Sequence, residues 1–243
     1  MVTYIFPAQC DDRLNELMKL LGADGGYIAG SPLTAVGKII YIYAPNYKLT
    51  DLSGIAEGST VYCGFADAAL KESADEKSIK IRCFNEDRMF TVKNALLTAE
   101  ACVGELLIKE RRAIGDIKIL VCGFGRVGRA VVKYLAALGA DTDVATTSPA
   151  NVLGCAKPVS YDGLDAGKYD VVINTVPVKV LGNEFLNAFK GYIFELASPP
   201  YGFDKERADR AGTEYYILAA LPAKRKPQAA AKVMAEFIRE DER

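Results

Sequence analysis

Short apolar runs bounded by turn residues punctuate the first part of the chain. Val2–Phe6, Lys38–Tyr43, Ser59–Cys63 and Ser78–Cys83 each predict a strand, and Arg13–Leu21, closed by Gly22, predicts a helix. This alternation predicts a small α/β domain over residues 1–94. From Thr98 to Arg112 the apolar residues Ala99, Cys102, Val103, Leu106 and Leu107 recur at i, i+3, i+4, i+7 and i+8, one face of a helix, with Thr98 in the N-cap place.

The strongest local pattern follows. Ile117–Cys122 reads as a fully buried strand, Gly123–Gly128 as a tight turn, and Arg126–Leu138 as an amphipathic helix through Val127, Val131, Leu135 and Leu138, ended by Gly139. Further strands are expected at Asp143–Ala145, Asp170–Asn174, Tyr192–Leu196 and Tyr215–Leu218, with helices near Leu181–Phe189 and Asp204–Ala211. Strands alternating with helices predict an α/β fold with a doubly wound parallel sheet, a Rossmann domain over residues 95–226. A last helix opens at Pro227 and aligns Ala230, Val233, Met234, Phe237 and Ile238. That stripe needs a cover, so residues 227–243 are expected to pack back on the N-terminal domain.

Charge and composition narrow the function. With 30 Lys+Arg against 31 Asp+Glu the net charge is −1, which provides no field for a nucleic-acid backbone. No apolar run is long enough to span a membrane, and the start MVTYIFPAQCDD lacks the basic head of a signal peptide. The six cysteines (Cys10, Cys63, Cys83, Cys102, Cys122, Cys155) form no CxxC pair and read as reduced thiols of a cytoplasmic protein. The chain has no histidine, which excludes the Ser-His-Asp class and the commonest metal ligand; no metal is expected. Proton chemistry then falls to carboxylates, Lys, Tyr, Cys or water.

The turn Gly123-Phe124-Gly125-Arg126-Val127-Gly128 has the GxGxxG spacing of a dinucleotide site. Its first glycine makes the turn, its second admits a pyrophosphate, and its third lets helix and strand pack closely. Backbone N–H groups at the helix start then bind the phosphates. The next strand ends at Thr146-Thr147-Ser148, with no acid where an NAD protein presents one to the ribose. Hydroxyls there donate to a 2′-phosphate, so NADP is favoured over NAD. Asn174-Thr175-Val176-Pro177 ends a strand on the same edge, where the nicotinamide is expected, and the loop from Ala197 through Ser198 to Gly202 leaves the neighbouring strand. Glu100, near the expected helix start, is a candidate base, although an acid in a first turn is stabilised by the helix dipole in any case. A homodimer is expected from base rates.

Beyond these readings, NALLTAEACVGELL (Asn94–Leu107), VCGFGRVGRAVVKYLAALGA, INTVP, FELASPPYGFD and LPAKRKPQAAAKV together resemble the A subunit of dipicolinate synthase, in order and spacing. The likeness runs from about Asn94 to Phe237 and is weak over the first 90 residues. It implies a flavodoxin-like N-terminal domain and an NADP-binding Rossmann domain related to hydroxyacid dehydrogenases. It also implies oxidation of a dihydrodipicolinate-level intermediate, a small anionic substrate, in a cleft between domains during sporulation, with a B-type subunit as partner. Thr98 and Glu100 match the family's Thr-x-Glu, and Ser198 and Asp204 its LASRPGGTD segment. On this basis Glu100, or a water held by Thr98 and Glu100, is the expected base, and Ser198 orients substrate. Pro199 stands where the family has arginine, Tyr201 where it has glycine, and Ala229 and Ala231 replace a threonine and a glycine of a later motif. The same glycine turn resembles non-catalytic nucleotide-sensing domains, and a degenerate partner protein without activity is a further alternative.

Overall fold

Aliphatic runs that are buried on both faces favour parallel strands, and the chain builds two all-parallel sheets from them. The computed structural model describes residues 2–22, 27–28, 37–152, 154 and 156–242. Met1–Asn94 with Pro222–Arg243 form one compact unit, and Ala95–Leu221 the other.

In the first unit β1 (Val2–Phe6), β2 (Tyr27–Ile28), β3 (Lys38–Ile42), β4 (Thr60–Cys63) and β5 (Lys80–Cys83) pair in the order β2-β1-β3-β4-β5. Strand alternation sends Ile40 and Ile42 to one face of the sheet and Tyr41 to the other. Helices α1 (Asp12–Leu20), α2 (Ala68–Glu76) and α3 (Arg88–Lys109) follow their strands, and the boundary between units falls inside α3. Neither α2 nor the two-residue β2 is announced by an apolar run.

Helix α3 corrects the expected start at Thr98. Thr91, Ala95, Ala99, Cys102 and Leu106 are all buried, so the apolar period continues upstream of Thr98. The first turn forms at Asp87, whose Oδ1 accepts the Phe90 N–H at 2.6 Å. Thr98 and Glu100 therefore lie within the helix, away from its N-cap and first turn.

The second unit contains β6 (Lys118–Cys122), α4 (Arg126–Ala137), β7 (Asp141–Ala145), β8 (Lys157–Val159), β9 (Val171–Asn174), α5 (Asn183–Ala188), β10 (Tyr192–Glu195), α6 (Lys205–Ala211) and β11 (Glu214–Ile217). Their order is β11-β10-β9-β6-β7-β8, with every pair parallel. The chain runs outward from β6 to β8 and then returns to β9, so a topological switch point lies between β6 and β9, where doubly wound sheets open a crevice at their carboxyl edge. Strand β8 is not legible in the sequence because it is short, holds Pro158 and lies at the sheet edge.

A short helix α7 (Leu221–Arg225) leads to α8 (Pro227–Asp241). Ala231, Met234, Ala235, Phe237 and Ile238 of α8 pack with Leu14 and Leu17 of α1 over Phe6, Ile40, Ile42 and Tyr62. Burying one Leu, Met or Phe side chain in such a layer contributes about 1.5–3 kcal/mol. The described cysteines, Cys10, Cys63, Cys83, Cys102 and Cys122, are free thiols, and Cys155 lies outside the described residues. Among the described residues no helix is long and apolar enough to cross a membrane.

Candidate functional site

Three glycines shape the end of β6, each for a different reason. Gly123 sits at φ +93°, a conformation that side chains rarely adopt, and a Cβ there would lie 2.7 Å from Thr175 Oγ1. A Cβ on Gly128 would overlap the Gly123 carbonyl oxygen, so the third glycine lets α4 press against the turn. Gly125 differs from both: its φ of −76° suits any residue, and nothing lies within 4 Å of its absent Cβ. It is the N-cap of α4 and supplies no side-chain bond. Gly125 therefore offers the first N–H groups of α4 no side-chain acceptor, at the end of the helix where intrahelical acceptors run out.

A cavity of about 510 Å³ opens at this point. Gly123, Phe124 and Gly125 form one wall, and Thr146, Thr147, Ser148 and Asn151 follow from β7. Thr175, Val176 and Pro177 enter from β9, with Tyr161, Val178, Val180 and Arg129 completing the lining. That lining holds one guanidinium and no carboxylate. The volume lies within the ~300–1,000 Å³ of ordinary ligand sites.

Behind the cavity is a buried polar node. Asn174 is fully buried; its Nδ2 donates to both Glu195 oxygens at 2.7 and 2.9 Å, and its Oδ1 accepts the Val176 N–H at 3.2 Å. Glu195 also accepts N–H groups from Ala197 at 2.8 Å and Gly202 at 2.9 Å. Burial pushes the Glu195 carboxyl up from its ordinary pKa, while the donors from Gly202, Asn174 and Ala197 pull the other way. The carboxylate ties the loops after β9 and β10 together.

The sequence-selected residues therefore separate. Gly123, Phe124, Gly125, Thr146, Thr147, Ser148, Thr175, Val176 and Pro177 share the cavity. Asn174 and Ala197 belong to the node behind it, and Gly128 to the packing of α4. Arg126 is exposed, and Val127 packs against the core of the unit. Ser198 is exposed, Thr98 and Glu100 are half-buried on α3, and none of these three lines this cavity. Asp204 caps α6 by accepting the Arg207 N–H at 3.3 Å. Sequence reasoning passes over Arg129, Asn151 and Tyr161. Arg129 carries a usable signal, a cation in the first turn of a helix, where the dipole disfavours it. Tyr161 carries none, because it follows the unread strand β8. No group of three or more His, Cys, Asp or Glu residues able to hold a metal occurs among the described residues.

This donor set fits the diphosphate of a dinucleotide. The glycine backbone leaves room for a diphosphate, the uncapped helix start supplies N–H donors, and no carboxylate in the lining repels it.

Strand order and glycine turn together define a doubly wound, Rossmann-type unit beside a second parallel α/β unit. More particularly, the chain is 26% identical over 187 residues to the A subunit of dipicolinate synthase from Bacillus subtilis (strain 168), covering 73% of this chain and 63% of that protein. The chain thus matches less than two thirds of that relative's length. In fold it resembles the crystal structure of the dipicolinate synthase A subunit from Bacillus halodurans, with TM-score 0.77 and 19% identity over 98% of this chain and 96% of that one. Salmonella D-lactate dehydrogenase shares the fold at TM-score 0.71 and 12% identity, covering 100% of this chain and 96% of that one. No protein-family model matches the chain.

Proposed function

We propose that the chain is an NADP-dependent oxidoreductase of the dipicolinate synthase type, acting on a small cyclic dicarboxylate at the dihydrodipicolinate level. The observation that carries this reading is the uncapped start of α4 at Gly125, opening into a cavity whose lining has no carboxylate. Similarity to the A subunit of dipicolinate synthase supports the substrate class. The absence of an acid after β7, together with the hydroxyls of Thr147 and Ser148, supports NADP over NAD.

When bound, the cofactor supplies hydride transfer at C4 of its nicotinamide. The protein's own part is positioning. Backbone N–H groups at the start of α4 hold the diphosphate, and the Asn174–Glu195 node fixes the loop of Thr175, Val176 and Pro177 at the nicotinamide side. Glu100 takes the substrate proton, directly or through a water held with Thr98, and Ser198 orients the substrate. Aromatisation of the product ring favours the step and makes a strong base unnecessary, which suits a chain without histidine. A B-type subunit is the expected partner.

The test is titration with NADP(H) and NAD(H), then turnover of the intermediate with the B-type partner present. Dipicolinate formation with NADP consumption is expected, with Glu100→Gln keeping cofactor affinity and losing turnover. Pro199, in place of the family's arginine, favours one second reading, a nucleotide-binding protein without catalysis. Binding without turnover would select it.

A further inference from the structure

Arg129 is a cation where its helix disfavours one. It lies in the first turn of α4, which has no acidic residue there, and a helix start repels positive charge. Its Nε donates to the Phe124 carbonyl oxygen at 3.0 Å, and its guanidinium lies 5.1 Å from the Phe124 ring centroid. Both contacts are within the glycine turn and leave the two terminal nitrogens without a protein partner among the described residues. The side chain is thus held on the cavity wall with donors to spare.

Thr147, Ser148 and Asn151 line the same cavity at the end of β7. Thr146 is already engaged, its Oγ1 accepting the Ser148 N–H at 3.2 Å. In a doubly wound sheet the adenosine ribose lies at the end of the strand that follows the glycine turn. A free 2′-hydroxyl is recognised there by a carboxylate, whereas a 2′-phosphate needs donors and positive charge. From this juxtaposition we infer that Arg129, with Thr147, Ser148 and Asn151, forms the subsite for a ribose 2′-phosphate, and that Arg129 sets the preference for NADP(H) over NAD(H). The inference rests on the proposed dinucleotide function and adds the residue that discriminates between cofactors.

Calorimetric titration of the full chain and of Arg129→Leu with NADP+, NAD+, 2′,5′-ADP and 5′-ADP tests it. Loss of a charge-assisted contact predicts that Arg129→Leu weakens NADP+ and 2′,5′-ADP by ~10–100-fold and shifts NAD+ and 5′-ADP by less than about threefold. Arg129→Lys, which keeps the charge and loses the planar fork, should fall between the two. Equal losses for both dinucleotides would put Arg129 on the diphosphate and overturn the inference, as would unchanged affinities. A wild-type chain that binds both dinucleotides equally overturns this inference alone; one that binds neither overturns the proposed function with it. Thermal melting checks the fold of Arg129→Leu. Should that variant fail to fold, the Lys variant and the wild-type ratio of 2′,5′-ADP to 5′-ADP affinity decide the matter.

Discussion

The first strand of each parallel sheet is followed by a helix, yet the two helix starts are treated in opposite ways. After β1, α1 opens on Asp11, whose carboxylate accepts the Leu14 N–H at 3.1 Å and pairs with buried Arg13 at 2.8 Å. After β6, α4 opens on Gly125, with no side chain at all. The same orphan N–H groups exist in both places. In the first unit a built-in carboxylate takes the Leu14 N–H, whereas in the second Gly125 offers no side chain, the place where the proposed function sets the diphosphate. Both units share an all-parallel sheet, so the contrast between these two places lies in the helix start and not in the sheet.

The largest expected effect comes from closing the second turn by packing. In Gly128→Ala the new methyl meets the Gly123 carbonyl oxygen, which is backbone and cannot swing aside. Overpacking of this kind costs about 3 kcal/mol or more, with dinucleotide binding lost as α4 is displaced. Chemical denaturation and titration would check both, and wild-type stability in this variant would refute the close-packing role.

Gly125→Asp sharpens the comparison, because it writes the α1 arrangement into α4. Nothing lies near the new Cβ, and an aspartate is a good N-cap, so stability should hold or rise by a few tenths of a kcal/mol. Dinucleotide affinity should fall by ~100-fold or more, since a fixed carboxylate now takes the N–H groups and repels the diphosphate. A variant that still bound tightly would show that the phosphates lie elsewhere.

The reciprocal change is smaller. Asp11→Ala removes the cap of α1 and leaves Arg13, buried at 4% exposure, with Asn46 Oδ1 at 2.6 Å as its remaining side-chain partner. A loss of about 1–2 kcal/mol is expected, with dinucleotide affinity unchanged. An effect on affinity would contradict the assignment of the ligand to α4.

How much of this is legible in the sequence follows from where each signal resides. The strand, glycine turn and helix of β6 to α4 declare themselves because buried parallel strands are continuous apolar runs and glycine spacing is a backbone requirement. Thr98 misleads because a threonine hydroxyl looks alike at a cap and inside a helix, and burial of Thr91 and Ala95 shows that the helix continues upstream. Asn174 reads in the sequence as facing a cofactor; its carboxamide is consumed by Glu195, a partner on another strand that no local pattern discloses. Asn151 escapes the sequence for the related reason that its place in the lining depends on the fold around it, while Arg129 shows there only as a cation in a first helical turn.

The last contrast concerns what ties the loops together at each carboxyl edge. In the first unit a neutral amide does this: Asn85 Nδ2 donates to the Pro45 carbonyl at 2.6 Å and to the Gly64 carbonyl at 3.2 Å. In the second unit the buried Glu195 does it, and Glu195 titrates. Burial raises its pKa from the ordinary 4.5, so the native state holds this proton to higher pH than the unfolded chain does. The contribution of Glu195 to stability is thus full below the ordinary carboxylate range and declines as pH rises through its raised pKa. Glu110 has the opposite sign: its hydrogen bond with Arg112 holds its pKa at about 2, so its contribution is lost as pH falls below the ordinary range. Thermal melting across the acidic and neutral range, compared between wild type and Glu195→Gln, should show the declining limb in the wild type and a flatter profile in the variant. Identical slopes would mean that Glu195 stays ionised throughout, and that its backbone and Asn174 donors outweigh its burial.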